Sequence, residues 1–405
     1  MILNRTKIKS LVLTVFVAGM SLTSSCSTVE PDVKPIAVDD SGADRVLLYY
    51  AAGFNDLSSY LKDDIEEMCT LGFVPSEKSK AVLLIFSNLV KHGYNTPVSP
   101  SLTKVYRNFR GEVVRDTLMK LDAGTLAANA NTLRLVLDKV REMYPAKECG
   151  MIFSSHATGW IPATNTFPLK KNDISTSSIG SEFEPGNRIS YEMNLTDFAA
   201  AINKPLDFIL FDSCFMGAAE VAHELRNKCL NTVFSQTEVL ADGFDYTIMT
   251  EYLLKPDVAN LRGVCEAFFS HYDSMEGDYR SATVSMVDCS KMDDLAAVCK
   301  EIYSSHRSSL NSLIPEDIQC FGRIGSHRYF YDLEDIVKHL NISEDEYSIF
   351  KKALDRCIIY KAATESFIEL PIKEFCGLSS YMTNKVKYDQ FYKTLSWNKA
   401  TGMIK

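Results

Sequence analysis

LDFILFDSCFMGAAEVAHEL, residues 206–225, decides how this chain is read. FILF at its centre offers no polar face, as expected of a strand covered on both sides. Asp-Ser-Cys follows, then Phe-Met-Gly, and then a small-residue stretch with helical periodicity. A buried strand that turns directly into a helix is the repeating unit of a parallel α/β sheet.

The same unit recurs outward from this point. CGMIFSSH (149–156), RVLLYYAA (45–52) and AVLLIFSNLV (81–90) read as further buried strands. Helical periods separate them: LSSYLKDDIEEMCTLG (57–72), ending at Gly72, and DAGTLAANANTLRLVLDKVREMYP (122–145), with Asp122 as its expected cap and Pro145 as its stop. TDFAAAIN (196–203) and GAAEVAHELRNKC (217–229) add two more. SATVSMVDC (281–289) and CGLSSYM (376–382) are expected to extend the sheet, and residues 290–370 to be mostly helical. The expected class is α/β, a mostly parallel sheet flanked by helices, with a largely helical C-terminal region returning strands to it. PATNTFPLKKNDISTSSIGSEFEPGNR (162–188) is rich in Ser, Asn, Pro and Gly and reads as a long exposed loop, the kind that is functional or disordered.

The 405 residues divide on this reading into a targeting segment (1–26), a tether (27–44), a catalytic core (45–255) and a mixed C-terminal region (256–405). Arg5, Lys7 and Lys9 precede the apolar run LVLTVFVAGM, and LTSSC then ends at Cys26. The run is too short to span a bilayer, and small residues before a cysteine resemble a bacterial lipobox, with Leu22 one place further upstream than usual. A lipidated Cys26 would anchor the protein to a cell-envelope membrane without a spanning helix; an ordinary secretory signal is the alternative. STVEPDVKPIAVDDSGAD (27–44) lacks apolar periodicity and reads as a flexible tether. A net charge of -9 argues against a nucleic-acid partner. The cysteines show no CxxC pair and no metal spacing, and no calcium-loop pattern is present; no cofactor is expected, and a calcium requirement is not readable from the sequence.

Two buried strands end in reactive side chains. MIFSS delivers His156, and FILFDS delivers Cys214. Sites in open parallel sheets form beyond the carboxyl ends of the strands, so adjacent strands would set imidazole and thiol side by side. A helix starting just after Cys214 would also lower its thiol pKa. A lone cysteine or histidine after a strand is more often packing than chemistry, and periodicity alone leaves both readings open. His223, nine residues past Cys214, reads as structural.

The local words narrow the choice. SSHATGW (154–160) followed by FDSCFMG (211–217) resembles the clostripain family of cysteine peptidases, which share a caspase-like fold with gingipains and legumains. RVLLYYAAGFNDLSSYLKDDIEEM (45–68), ISYEMNLTDFAAAI (189–202), SQTEVLADGFDY (235–246) and YDQFYKTLSW (388–397) carry the resemblance over most of the chain. It implies a His156/Cys214 dyad, with the backbone N–H groups of Ala157 and Cys214 as oxyanion hole. Ala157 stands where the family usually has glycine; if that glycine exists to allow a positive φ, alanine would strain the site. A non-catalytic surface lipoprotein using the fold as a binding module is the alternative function. The resemblance further implies peptide or protein substrates cut after Arg or Lys, held by Asp212 with Asp242, or Asp245 in its place. It implies self-processing between the histidine and the cysteine, with Lys170 and Lys171 preferred over Arg188 and Lys204.

Overall fold

Apolar strand cores and the helices that cover them account for the architecture of the computed structural model, which describes residues 32–33, 42–163, 178–186, 190–323, 328–382 and 388–405. Cys26, Lys170, Lys171 and Arg188 lie outside the described residues. In chain order the strands are β1 (Asp32–Val33), β2 (Ala43–Gly53), β3 (Ala81–Leu89), β4 (Ser101–Arg107), β5 (Val113–Lys120), β6 (Ala146–Ser154), β7 (Ile179–Phe183), β8 (Ser190–Met193), β9 (Leu206–Asp212), β10 (Cys229–Phe234), β11 (Thr283–Asp288), β12 (Tyr331–Asp332) and β13 (Ile358–Ala363). The helices used below are α1 (Ser58–Thr70), α2 (Ala130–Met143), α3 (Leu195–Ala201), α4 (Ala219–Glu224), α5 (Tyr246–Leu254), α6 (Leu261–Asp273) and α7 (Met292–Ser305).

Ten strands form one sheet in the order β1-β5-β4-β3-β2-β6-β9-β10-β11-β13. Its middle, β3 to β10, is parallel, and antiparallel strands extend both edges. The expected α/β class with helices on both faces is therefore observed. Alternation along β2 shows why its sequence is apolar throughout: Leu48, Tyr50 and Ala52 join the core under α2, α3, α4 and α7, while Leu47, Tyr49 and Ala51 join the core under α1, α5 and α6.

Several expectations change in detail. α2 starts at Ala130, capped by the Asn129 side chain on the N–H groups of Asn131 and Thr132, and not at Asp122. Gly124 has φ +86, which breaks any helix running from Asp122. CGLSSYM does not join the large sheet; Ser379–Ser380 pairs with β12 in a separate ladder. β13 emerges from the region expected to be helical. The stretch read as one loop to Arg188 already forms β7 from Ile179, paired with β8. β4 and β5 are a hairpin whose mixed polar pattern suits an edge more than a buried strand, and they carry no strong sequence signal. Among the described residues no helix is long and apolar enough to cross a membrane.

Glu182 shows how β7 is held. Its carboxylate is fully buried and accepts from the Phe54 N–H (3.2 Å), the Asn88 amide (2.9 Å) and the Ala128 N–H (2.9 Å). One side chain thus ties β7 to the chain just past β2, to the end of β3 and to the loop before α2. Burial raises its pKa to about 7, against the opposing pull of those donors.

Candidate active site

Strand register sets the site. β6 and β9 are parallel neighbours with Ser154 opposite Asp212, so two residues further on His156 and Cys214 leave the sheet at the same level. Both line one cleft of about 110 Å³ at the carboxyl ends of the strands, together with Leu57, Asp64, Asp212 and the segment Val239–Ala241. The cleft lies where a parallel sheet with helices on both faces is expected to carry its chemistry.

His156 is held from a side the sequence did not suggest. Its Nε2 lies 2.6 Å from Oδ1 of Asp56, three residues past the end of β2. Cys214 is cradled by the Val239 peptide, whose N–H donates to Sγ at 3.3 Å and whose carbonyl lies 3.9 Å from it. The thiol is not at a helix N-terminus: α4 begins five residues later, at Ala219, and has only six residues. Burial instead pushes the Cys214 thiol up to about 12, helped by the charges of Glu238 and Asp212 and opposed by the Val239 N–H. Glu238 is fixed in turn by Arg323, with Nε to Oε2 at 2.8 Å and Nη2 to Oε1 at 3.3 Å.

The two loops that carry His156 and Cys214 are packed against each other. Gly159 has φ +58, and a Cβ there would meet the Phe215 carbonyl oxygen at 2.5 Å. Phe215 has φ +59, a conformation that strains any side-chain-bearing residue, and is held by its N–H bond to the Thr237 carbonyl (2.8 Å) and by stacking on Phe330 (4.8 Å between centroids). Ala157 is not among the described residues with positive φ, so the backbone strain that such a φ would impose on alanine is absent. The bonds flanking its bridge to Ile179 run from Thr158 N–H to Ser178 and from Gly180 N–H to His156. Ala157 is therefore a non-hydrogen-bonded partner in this bridge, and its own N–H points away from β7.

The acids divide. Asp212 is buried beneath Gly243, accepts from the Tyr246 hydroxyl at 2.7 Å, and lines the cleft. Asp242 is exposed on the loop above and is not part of the cleft lining. Asp245 caps α5, accepting from the Ile248 N–H at 3.1 Å. The second carboxyl that lines the cleft is Asp64 of α1, which the sequence reading did not single out. His223 lies elsewhere, bonded to Ser396 (2.8 Å) and edge-on to Trp397. Lys204 sits in the turn before β9, its carbonyl and that of Pro205 both accepting from Arg141. Among the described residues no group of three or more His, Cys, Asp or Glu side chains could hold a metal ion.

Comparison with known proteins agrees with this arrangement. The model of the clostripain family matches residues 49–403. Among solved structures, an inactive zymogen C11 protease from Parabacteroides distasonis is similar at 26% identity and a TM-score of 0.74, over 91% of this chain and 99% of that one. Two structures share the fold at lower identity. A secreted C11 cysteine protease from Bacteroides thetaiotaomicron, iotapain, has 23% identity and a TM-score of 0.73 over 91% of this chain and 100% of its own. A secreted C11 cysteine protease from the same organism, in complex with an irreversible peptide inhibitor, has 22% identity and a TM-score of 0.72 over 89% and 99%. No curated protein matches the sequence. With the family model spanning nearly all of the sheet and both strands that end in the cleft, the chain belongs to the clostripain family of cysteine peptidases.

Proposed function

We propose that this peptidase cleaves after Arg or Lys, with Cys214 as nucleophile and His156 as proton carrier. The observation that carries this reading is the shared level of the two side chains at the ends of β6 and β9, above the buried Asp212. Cys214 leaves the Val239 peptide, gives its proton to the His156 imidazole and attacks the scissile carbonyl. The N–H groups of Ala157 and Cys214 receive the developing oxyanion. His156 passes a proton to the leaving amine and then takes one from the water that hydrolyses the thioester. Asp56, at 2.6 Å, fixes the imidazole while its charge changes and so acts as a positioning residue.

The similar Parabacteroides protein is an inactive zymogen, which supports a maturation step here as well. A resting thiol raised by burial fits a precursor whose cleft has not yet opened. Lys170 or Lys171 would supply a self-processing cut suited to a basic specificity. Lipidation at Cys26, placing the enzyme on a bacterial cell-envelope membrane, completes the reading.

Matched fluorogenic peptides carrying Arg, Lys or a neutral residue before the cut test it. Wild-type enzyme should prefer the basic peptides, Cys214→Ala should abolish hydrolysis, and Asp212→Asn should damage the basic substrates more than the neutral one. Equal turnover of all three peptides by wild type would refute the specificity, and activity retained by Cys214→Ala would remove it as nucleophile.

A further inference from the structure

Asp64 occupies a place that a structural acid has little reason to occupy. It is 93% buried, on the face of α1 turned to the sheet, and it lines the same cleft as Cys214 and Asp212. Among the described residues its hydrogen-bond partner is the Tyr49 hydroxyl, 3.2 Å from Oδ2. Asp212 is held in the same manner by Tyr246 at 2.7 Å, and the rings of Tyr49 and Tyr246 meet edge to face at 5.3 Å. Two carboxyls thus stand on a buttress of two tyrosines at the base of the cleft. Among the described residues His156 is the only basic side chain in the cleft lining, and it is engaged by Asp56.

Buried carboxyls are retained when something compensates them, and among the described residues no cationic side chain is paired with these two. We propose that Asp64 is a specificity-determining residue: with Asp212 it forms the floor that receives the cationic side chain of the residue before the cut. This inference rests on the basic specificity proposed above. Asp242, on its exposed loop, is not needed for the pair.

Burial pushes both carboxyls above the ordinary range, and the charge of Asp212 pushes Asp64 up further. The charges facing Asp64 disfavour its ionised form, those of Asp212 on β9 and of Asp63 and Glu67 on α1 itself; the Tyr49 hydroxyl on β2 pulls the other way through its hydrogen bond, and Tyr246 on α5 and Tyr272 on α6 are neutral. The empty floor therefore holds a proton near neutral pH. An arriving ammonium or guanidinium replaces that proton, and the proton leaves to solvent. Affinity for basic substrates should then rise with pH, since fewer protons have to be displaced.

The test uses the active full chain with the matched peptides. Asp64→Asn should lower the ratio of kcat/KM for Lys or Arg over the neutral peptide roughly ten- to hundredfold, the loss of one charge-assisted contact. The KM of wild type for the basic peptide should fall as pH rises toward about 9, where Asp64 gives up its proton, and Asp64→Asn should lose that part of the dependence while keeping the part near pH 6 that belongs to Asp212. A second measurement needs no variant: calorimetry of n-butylguanidinium binding to wild type, in buffers of different ionisation enthalpy, should show proton release. An unchanged specificity ratio in Asp64→Asn, or guanidinium binding without proton release, overturns the role of Asp64. Wild type without basic preference overturns the specificity reading itself, so the two failures are told apart.

Discussion

Replacing Gly159 by alanine tests whether the histidine loop and the cysteine loop are set by one another. The backbone at Gly159 has φ +58, so a Cβ costs about 1 kcal/mol before any contact is considered. The Cβ would also stand 2.5 Å from the Phe215 carbonyl oxygen, where ordinary contact begins near 3.4 Å, a shortfall of about 0.9 Å. Phe215 cannot yield freely, because its N–H is bonded to Thr237 and its ring is stacked on Phe330. The strain must therefore separate the two loops, and His156 and Cys214 with them. A misplacement of about 1 Å between reacting groups costs on the order of a hundredfold in rate. Fluorogenic peptide hydrolysis should show that fall mainly in kcat, while denaturant titration shows a stability loss of about 1–3 kcal/mol. Gly93→Ala is the matched control: φ there is +85 and nothing lies within 4 Å, so only the backbone cost of about 1 kcal/mol should appear. Wild-type kcat in Gly159→Ala, or an equal activity loss in both variants, would refute the coupling of the loops.

Two further outcomes follow from residues around the same strands. If the enzyme processes itself, wild type should convert on incubation to two fragments with Asn172 or Lys171 as the new N-terminus, and Cys214→Ala should stay intact; an active wild type that remains one chain excludes the step. Glu182 provides a pH signature: its folded pKa of about 7 lies above the ordinary value of 4.5, so its favourable contribution is full below about pH 4.5 and is lost as pH rises through 7. The stability of wild type relative to Glu182→Gln should fall by about 3 kcal/mol between those limits, read by urea unfolding across pH, and a difference that does not vary with pH would show that Glu182 is not buried as described.

The central strands and the level of His156 and Cys214 were legible because buried parallel strands are written as unbroken apolar runs. RVLLYYAA, MIFSS and FILF have no other good use in a soluble protein. What was not legible depends on faces and turns. Asp64 sits in LKDDIEEM among three other acids, and only the rotation of α1 against the sheet separates the buried one from the solvated ones. Asp56 follows β2 in a turn whose direction no periodicity encodes. Asp242 and Asp64 are equally good carboxylates in sequence, and the close approach of Gly243 to Asp212 decides which of them lines the cleft. The helix expected to activate Cys214 begins only at Ala219, five residues past the thiol, because the chain first makes a turn in which Phe215 takes a positive φ.

The seam between β6 and β9 has a consequence for how the molecule could be divided. Every residue that crosses the interval 164–177 leaves β1 to β6 and His156 on its upstream side, and β7 to β13 and Cys214 on its downstream side. A break in that interval would turn one chain into a heterodimer whose subunit boundary runs through the middle of a sheet. Each partner would hold one half of the catalytic pair and neither would have a complete core. Glu182, on the downstream partner, would become an interface anchor, since all three of its hydrogen-bond donors belong to the upstream one. Unfolding would then depend on protein concentration, as it does for any obligate dimer. The two halves, expressed apart, would be expected to regain activity only together.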